Sequence, residues 1–138
     1  MIMKAQFIVI GEPKGKGRPR FVSTNKGVRT YTPKDTVYYE NLVKLSYKDM
    51  CGVKLNGKIR AKISAYFAPP ASSSNKKKEQ MLLGEIGYLH KPDTDNIAKI
   101  ILDSLNGIAY DDDRQITELT VNKHYGLRSG VVVELEEI

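Results

Sequence analysis

Ile59-Arg60-Ala61-Lys62-Ile63-Ser64-Ala65-Tyr66-Phe67 alternates apolar with polar side chains over nine positions. Side chains of a strand point to opposite faces in turn, so this stretch predicts a β-strand with one buried face. Pro69-Pro70 ends it, and Ala71 to Asn75 reads as a loop. A short helix is expected from Lys76 to Leu83, stopped by Gly84. Further along, Ile97, Ile101 and Leu105 recur every four residues with Ile100 beside them, which predicts a helix over Thr94 to Leu105. Gln115 to Tyr125 and Val131 to Leu135 read as strands joined by a turn over Gly126 to Gly130. Upstream, Gln6 to Ile10 is a strand, broken by the three glycines and proline of Gly11 to Gly17. Phe21-Val22 and Val28 to Tyr31 flank Ser23 to Gly27 as a hairpin whose glycine can take positive φ. A helix should follow, with Thr32 as cap, Pro33 at its first position and Asp35 in its first turn. Its apolar stripe is expected to be Val37, Tyr38, Leu42 and Leu45, interrupted by Asn41. The order is strand, hairpin, helix, strand, helix, helix, strand, strand. It predicts an α+β fold, a single compact domain with a small mixed or antiparallel sheet packed against helices.

The 138 residues fit one domain, and 41% apolar with 28% charged residues is a globular balance. No apolar run approaches the roughly 20 residues a membrane span needs, and Met1 to Lys4 runs into a strand without a signal-peptide block. A cytoplasmic protein is the expectation. Cys51 is the one cysteine, which excludes an internal disulfide and a zinc site built on several thiolates. Packing is the role expected of it. His90 and His124 are the only histidines and neither neighbours another metal-ligating pair. Gly15-Lys16-Gly17 does not meet the phosphate-loop pattern, so no nucleotide cofactor is expected.

Charge is unevenly spread. From Met1 to Lys34, eight Lys and Arg face the single acid Glu12, whereas from Lys91 to Gln115 six aspartates face Lys91, Lys99 and Arg114. A polyanion is attracted by the first region and repelled by the second unless cations intervene. The acidic region holds Asp93-Thr94-Asp95-Asn96, Lys99, Asp103 and Asp111-Asp112-Asp113. If the chain stays extended to Asp95, Asp93 and Asp95 point the same way. Several carboxylates with water and phosphate oxygens make the hard oxygen shell that magnesium or manganese prefers. Either aspartate could instead cap the helix that follows, and the second acidic run could be an exposed turn. Lys99 falls one helical turn after Asp95, where it can pair with a carboxylate or meet a phosphate. Asp103, a further turn along, suits a salt bridge with Lys99. Phe21 and Tyr31 could stack on an unpaired base, although core packing is the commoner use.

Lys91-Pro92-Asp93-Thr94-Asp95-Asn96, Lys99, Asp103-Ser104-Leu105-Asn106-Gly107 and Asp112-Asp113-Arg114-Gln115-Ile116 resemble the signature of RusA-type Holliday-junction resolvases. The Gly11 to Phe21 stretch, with Pro13, Lys14, Arg18, Pro19, Arg20 and Phe21, resembles the beginning of many members. The resemblance implies one endonuclease domain over residues 1–138. It implies a homodimer that binds four-way DNA junctions and introduces paired nicks using magnesium or manganese. Carried onto this chain, Asp93, Asp95 and Asp113 are the catalytic, metal-holding carboxylates. Asp112 is a further candidate ligand, and Lys99 matches the family lysine. Lys14, Lys16, Arg18, Arg20, Lys76, Lys77 and Lys78 are the candidates for DNA backbone contact. A phage or prophage origin would be in keeping with many members. Two other readings share these residues: a metal-dependent nuclease for other branched or structured nucleic acids, and a junction-binding protein that does not cut.

Overall fold

The computed structural model describes residues 2–17, 20–31 and 33–138, without the side chains of Arg20 and Tyr31. Four strands form one sheet in the order β1 (Lys4–Ile10), β6 (Gly130–Glu137), β4 (Ile59–Phe67), β5 (Ile116–Tyr125). β1 and β4 both run antiparallel to β6, while β4 and β5 are parallel. A parallel pair needs a long crossover. Residues 68–115 supply it, carrying α2 (Asn75–Leu82) and α3 (Thr94–Ser104). The fold is thus α+β with a mixed sheet. Among the described residues, no helix is long and apolar enough to cross a membrane.

The core lies between one sheet face and two helices. Ala5, Phe7 and Val9 of β1, the odd residues of β4, and Val131, Val133 and Leu135 of β6 are all buried. On the other face, Arg60 reaches both Glu118 and Glu136 across neighbouring strands in solvent. α3 buries Ile97, Ala98, Ile100, Ile101, Leu102 and Ser104. Each fully buried isoleucine contributes about 1.5–3 kcal/mol, so this helix is firmly seated.

α1 (Lys34–Met50) packs against β1 and α3. Its buried face is Thr36, Tyr39, Val43 and Tyr47, not the expected stripe: Val37, Tyr38 and Leu45 are exposed. Tyrosines are neutral in an apolar count, yet Tyr47 packs edge-on against Phe7 and donates its hydroxyl to the Val53 carbonyl. The expected cap Thr32 lies outside the described residues, and Pro33 at the N-cap position makes no side-chain cap bond. Cys51, at the other end, is half-buried and its Sγ donates to the Gln6 carbonyl at 3.1 Å.

The hairpin β2 (Arg20–Thr24) and β3 (Gly27–Tyr31) forms a separate sheet, with Gly27 at φ +115°. Phe21 is 73% exposed and Val22 and Val28 are also open to solvent. Core packing, the commoner use expected of Phe21, is therefore not what it does. The hairpin has too few partners to bury both faces of two short strands.

Candidate active site

The segment 83–93 leads from α2 into α3 without regular structure. α3 begins at Thr94, as the helical spacing predicts, so the condition that the chain stay extended to Asp95 is not met and the extended run ends at Asp93. Asp95 lies in the first helical turn instead. Asp93 sits at the N-cap position with φ −72° and ψ 156°, and its carbonyl accepts from Ile97 N–H at 3.1 Å. Its side chain makes no cap hydrogen bond. Both carboxylates are exposed at the positive end of the helix dipole, where negative charge is favoured.

Below them, one exposed stripe of α3 carries Lys99 and then Asp103. Lys99 Nζ pairs with Asp103 Oδ2 at 3.5 Å, one turn apart, while its side chain stays 63% exposed. Asp103 also lies 3.7 Å from Lys16 Nζ, which bonds Glu40 of α1 at 2.9 Å. Lys16 is brought there by its own loop: its N–H donates to the Asn96 carbonyl at 3.0 Å. A Cβ on Gly15 would meet Pro92 Cβ at 2.9 Å and Asn96 Cβ at 3.0 Å, so only glycine allows this approach.

The second acidic run is a tight turn whose three aspartates have separate partners. Asp111 pairs with Lys54 at 2.5 Å on the surface. Asp112 caps the 3-10 turn Asp113–Gln115, accepting from Arg114 N–H at 2.8 Å, and Gln115 Oε1 accepts in return from the N–H groups of Asp111 and Asp112. Asp113 N–H donates to Asn106 Oδ1 at 2.8 Å just past α3. That places the Asp113 carboxyl beside those of Asp103 and Asp112. Its pKa is raised by burial first and then by these two neighbours. The same carboxylates push up the Tyr110 hydroxyl, already raised mainly by burial, which donates to the Leu102 carbonyl at 2.6 Å.

The structure thus joins Asp113 to Asp103, Lys99 and Lys16 at the C-terminal part of α3. Asp95 lies eight residues back from Asp103, about 12 Å along the helix axis. Among the described residues, no group of three or more His, Cys, Asp or Glu side chains already stands in an arrangement that could hold a metal ion. His90 is exposed, edge-on to Tyr88 at 5.5 Å.

Of the basic candidates, Lys14, Lys76 and Lys77 are exposed and Lys78 is half-exposed. The three consecutive lysines ride on α2, capped by Ser74 and ended near Gly84 at φ +81°. Lys16 is turned inward to Glu40 and Asp103 instead of outward. Arg18 lies outside the described residues, as does the side chain of Arg20. Three contributors escaped the sequence reading. The spacing Asp112-x-x-Gln115 is a capping-box pattern and was open to detection. Lys123 and Tyr88, which grip the segment before Asp93, carry no local signal.

Residues 11–136 match the family described as endodeoxyribonuclease RusA. A curated relative, the uncharacterized protein YqaN of Bacillus subtilis (strain 168), is 34% identical over 136 residues, covering 96% of each chain.

Proposed function

The chain belongs to the RusA endodeoxyribonuclease family, and from that membership we propose that it resolves four-way DNA junctions by paired symmetric nicks, as a homodimer using magnesium or manganese. The observation that carries this reading is the line of charge on α3: Asp93 and Asp95 without a side-chain partner among the described residues at its start, Lys99 midway, and Asp103 with Asp112 and Asp113 at its end. Burial first, and then the neighbouring carboxyls of Asp103 and Asp112, raise the Asp113 pKa, and a cation there would offset the crowding. Carboxylate oxygens are also the donors hard divalent ions take, so the donor chemistry suits such an ion, although no three of these side chains already stand in a metal-holding arrangement among the described residues. By the family motif Asp93, Asp95 and Asp113 would be the metal-holding carboxylates, the first two at the start of α3 and Asp113 beside Asp103 at its end, while Asp112 already commits one oxygen to Arg114 N–H. A divalent ion supplies neutralised charge there and a water of lowered pKa.

The chain's own residues do the rest. Lys99, mostly exposed and paired among the described residues with Asp103 alone, brings positive charge to the scissile phosphate. Lys14 and Lys76 to Lys78 contact the backbone of the arms, a sequence-independent attraction that weakens steeply with salt. A two-fold dimer presents two equivalent sites to the equivalent strands of a junction.

The test is a synthetic four-way junction incubated with and without magnesium, with nicks mapped on each strand. Paired symmetric nicks that need the metal are expected. Asp95→Asn should keep junction binding and lose cutting; cutting at the wild-type rate removes the assignment. Faster cutting of flaps or structured RNA would move the substrate, and binding without nicks in wild type would favour a non-cutting junction binder.

A further inference from the structure

Residues 87–92 have no backbone–backbone hydrogen bond among the described residues, yet they deliver the chain to Asp93. Three consecutive carbonyls of this segment are taken by side chains, two by Lys123 from β5 and one by Tyr88 of the segment itself. Lys123 Nζ, on β5, donates to the His90 carbonyl at 2.9 Å and the Pro92 carbonyl at 3.1 Å. The Tyr88 hydroxyl donates to the Lys91 carbonyl between them at 2.8 Å. The two side chains also touch each other: Lys123 Nζ lies 5.4 Å from the centroid of the Tyr88 ring, whose plane stacks on Phe67 at 3.7 Å. Phe67 ends β4 and pairs with Tyr125 of β5, so the clasp is anchored in the sheet.

Lys123 has no carboxylate partner among the described residues, although it is only half-exposed. An ammonium placed for surface solubility would point outward, and one placed for stability would pair with an acid. This one is spent on carbonyl dipoles next to the residue that begins the acidic site. We infer that Lys123 and Tyr88 are positioning residues, which set the backbone that aims Asp93 and the first turn of α3. The inference rests on the proposed function and deepens it.

Groups that orient metal-holding residues typically change activity 10–100-fold when removed. Lys123→Met is expected to slow single-turnover nicking of a four-way junction by about 100-fold and Tyr88→Phe by about 10-fold. Tyr88→Phe keeps the ring stack, so it tests the clasp even if Lys123→Met fails to fold. Lys123→Arg, which keeps the charge and donors, should restore most of the rate. Junction affinity by band shift in chelator should stay within about twofold throughout, because the clasp aims carboxylates and does not bind DNA. Amide hydrogen exchange in chelator should rise in residues 89–96 of the slow variants and nowhere else. If wild type cuts and both variants cut as fast, the inference is overturned and the proposed function stands. If wild type leaves every junction intact, the proposed function falls and the positioning role falls with it. A loss of affinity equal to the loss of rate would also overturn it, by making Lys123 a DNA contact.

Discussion

The two acidic segments at the ends of α3 are built in opposite ways. At its start, Asp93 and Asp95 make no side-chain bond among the described residues, and the backbone that carries them is held by Lys123 of β5 together with Tyr88 of the same segment. Past its end, the Asp111–Asp113 turn is held largely by its own side chains: Asp112 caps Arg114, and Gln115 answers with bonds to Asp111 and Asp112. Carboxylates whose backbone is held by other side chains are available to a ligand, whereas those that themselves hold the turn are largely committed to local structure. Asp113 is the exception in the second segment, because its backbone is fixed by Asn106 while its carboxyl is crowded by like charges. The contrast separates residues that stabilise from residues that do chemistry, and it can be broken experimentally.

The largest effect is expected at the free pair. Asp93→Asn should lower junction nicking by on the order of 10³-fold, the worth of several kcal/mol in transition-state charge stabilisation. Its thermal unfolding midpoint should fall by no more than a few degrees, since the side chain caps nothing and loses only its interaction with the helix dipole. A marked loss of stability in calorimetry would show that the start of α3 is self-held after all. Next, Gln115→Ala removes the acceptor of two backbone N–H groups and the donor to the Gly57 carbonyl at 3.0 Å. Chemical denaturation should show a loss of about 1–3 kcal/mol.

Asp113→Asn should move stability the other way. Its raised folded pKa means that the fold favours the protonated carboxyl. This contribution is present below the ordinary carboxylate range and is lost as pH rises through the raised value. At neutral pH the ionised group therefore opposes folding, and the amide should raise the unfolding midpoint by a few degrees. The gain should vanish at low pH in thermal scans. It should also vanish if wild type is measured in saturating magnesium, where the ion relieves the repulsion. The smallest effect is expected at Asp111→Asn, which removes a surface pair with Lys54 worth about 0.2–1 kcal/mol and should leave nicking untouched.

Much of this was legible in the chain. The alternation from Ile59 to Phe67 fell on β4 at both ends, because period-two burial is a local property of a strand. Ile97, Ile100 and Ile101 marked the buried face of α3 for the corresponding helical reason. The stripe of α1 was misread, since its burial rests on Tyr39, Tyr47 and Thr36, and amphipathic side chains do not declare which face they take. The start of α3 at Thr94 follows from the same isoleucine spacing, which puts Asp95 in its first turn and leaves the extended alternative for Asp95 unmet.

The sequence by itself determined the element order, the family motifs and the carboxylates that make this a candidate nuclease, since each rests on neighbours within about one helical turn or strand repeat. Only the tertiary structure decided which charges meet. Lys16, counted among the DNA contacts, crosses to Glu40 and Asp103 because the close approach at Gly15 lays its loop on α3. Lys123 reaches the segment before Asp93 across more than thirty residues because β5 returns parallel to β4 after carrying α3 over the sheet. Such contacts depend on topology, and no local pattern encodes them.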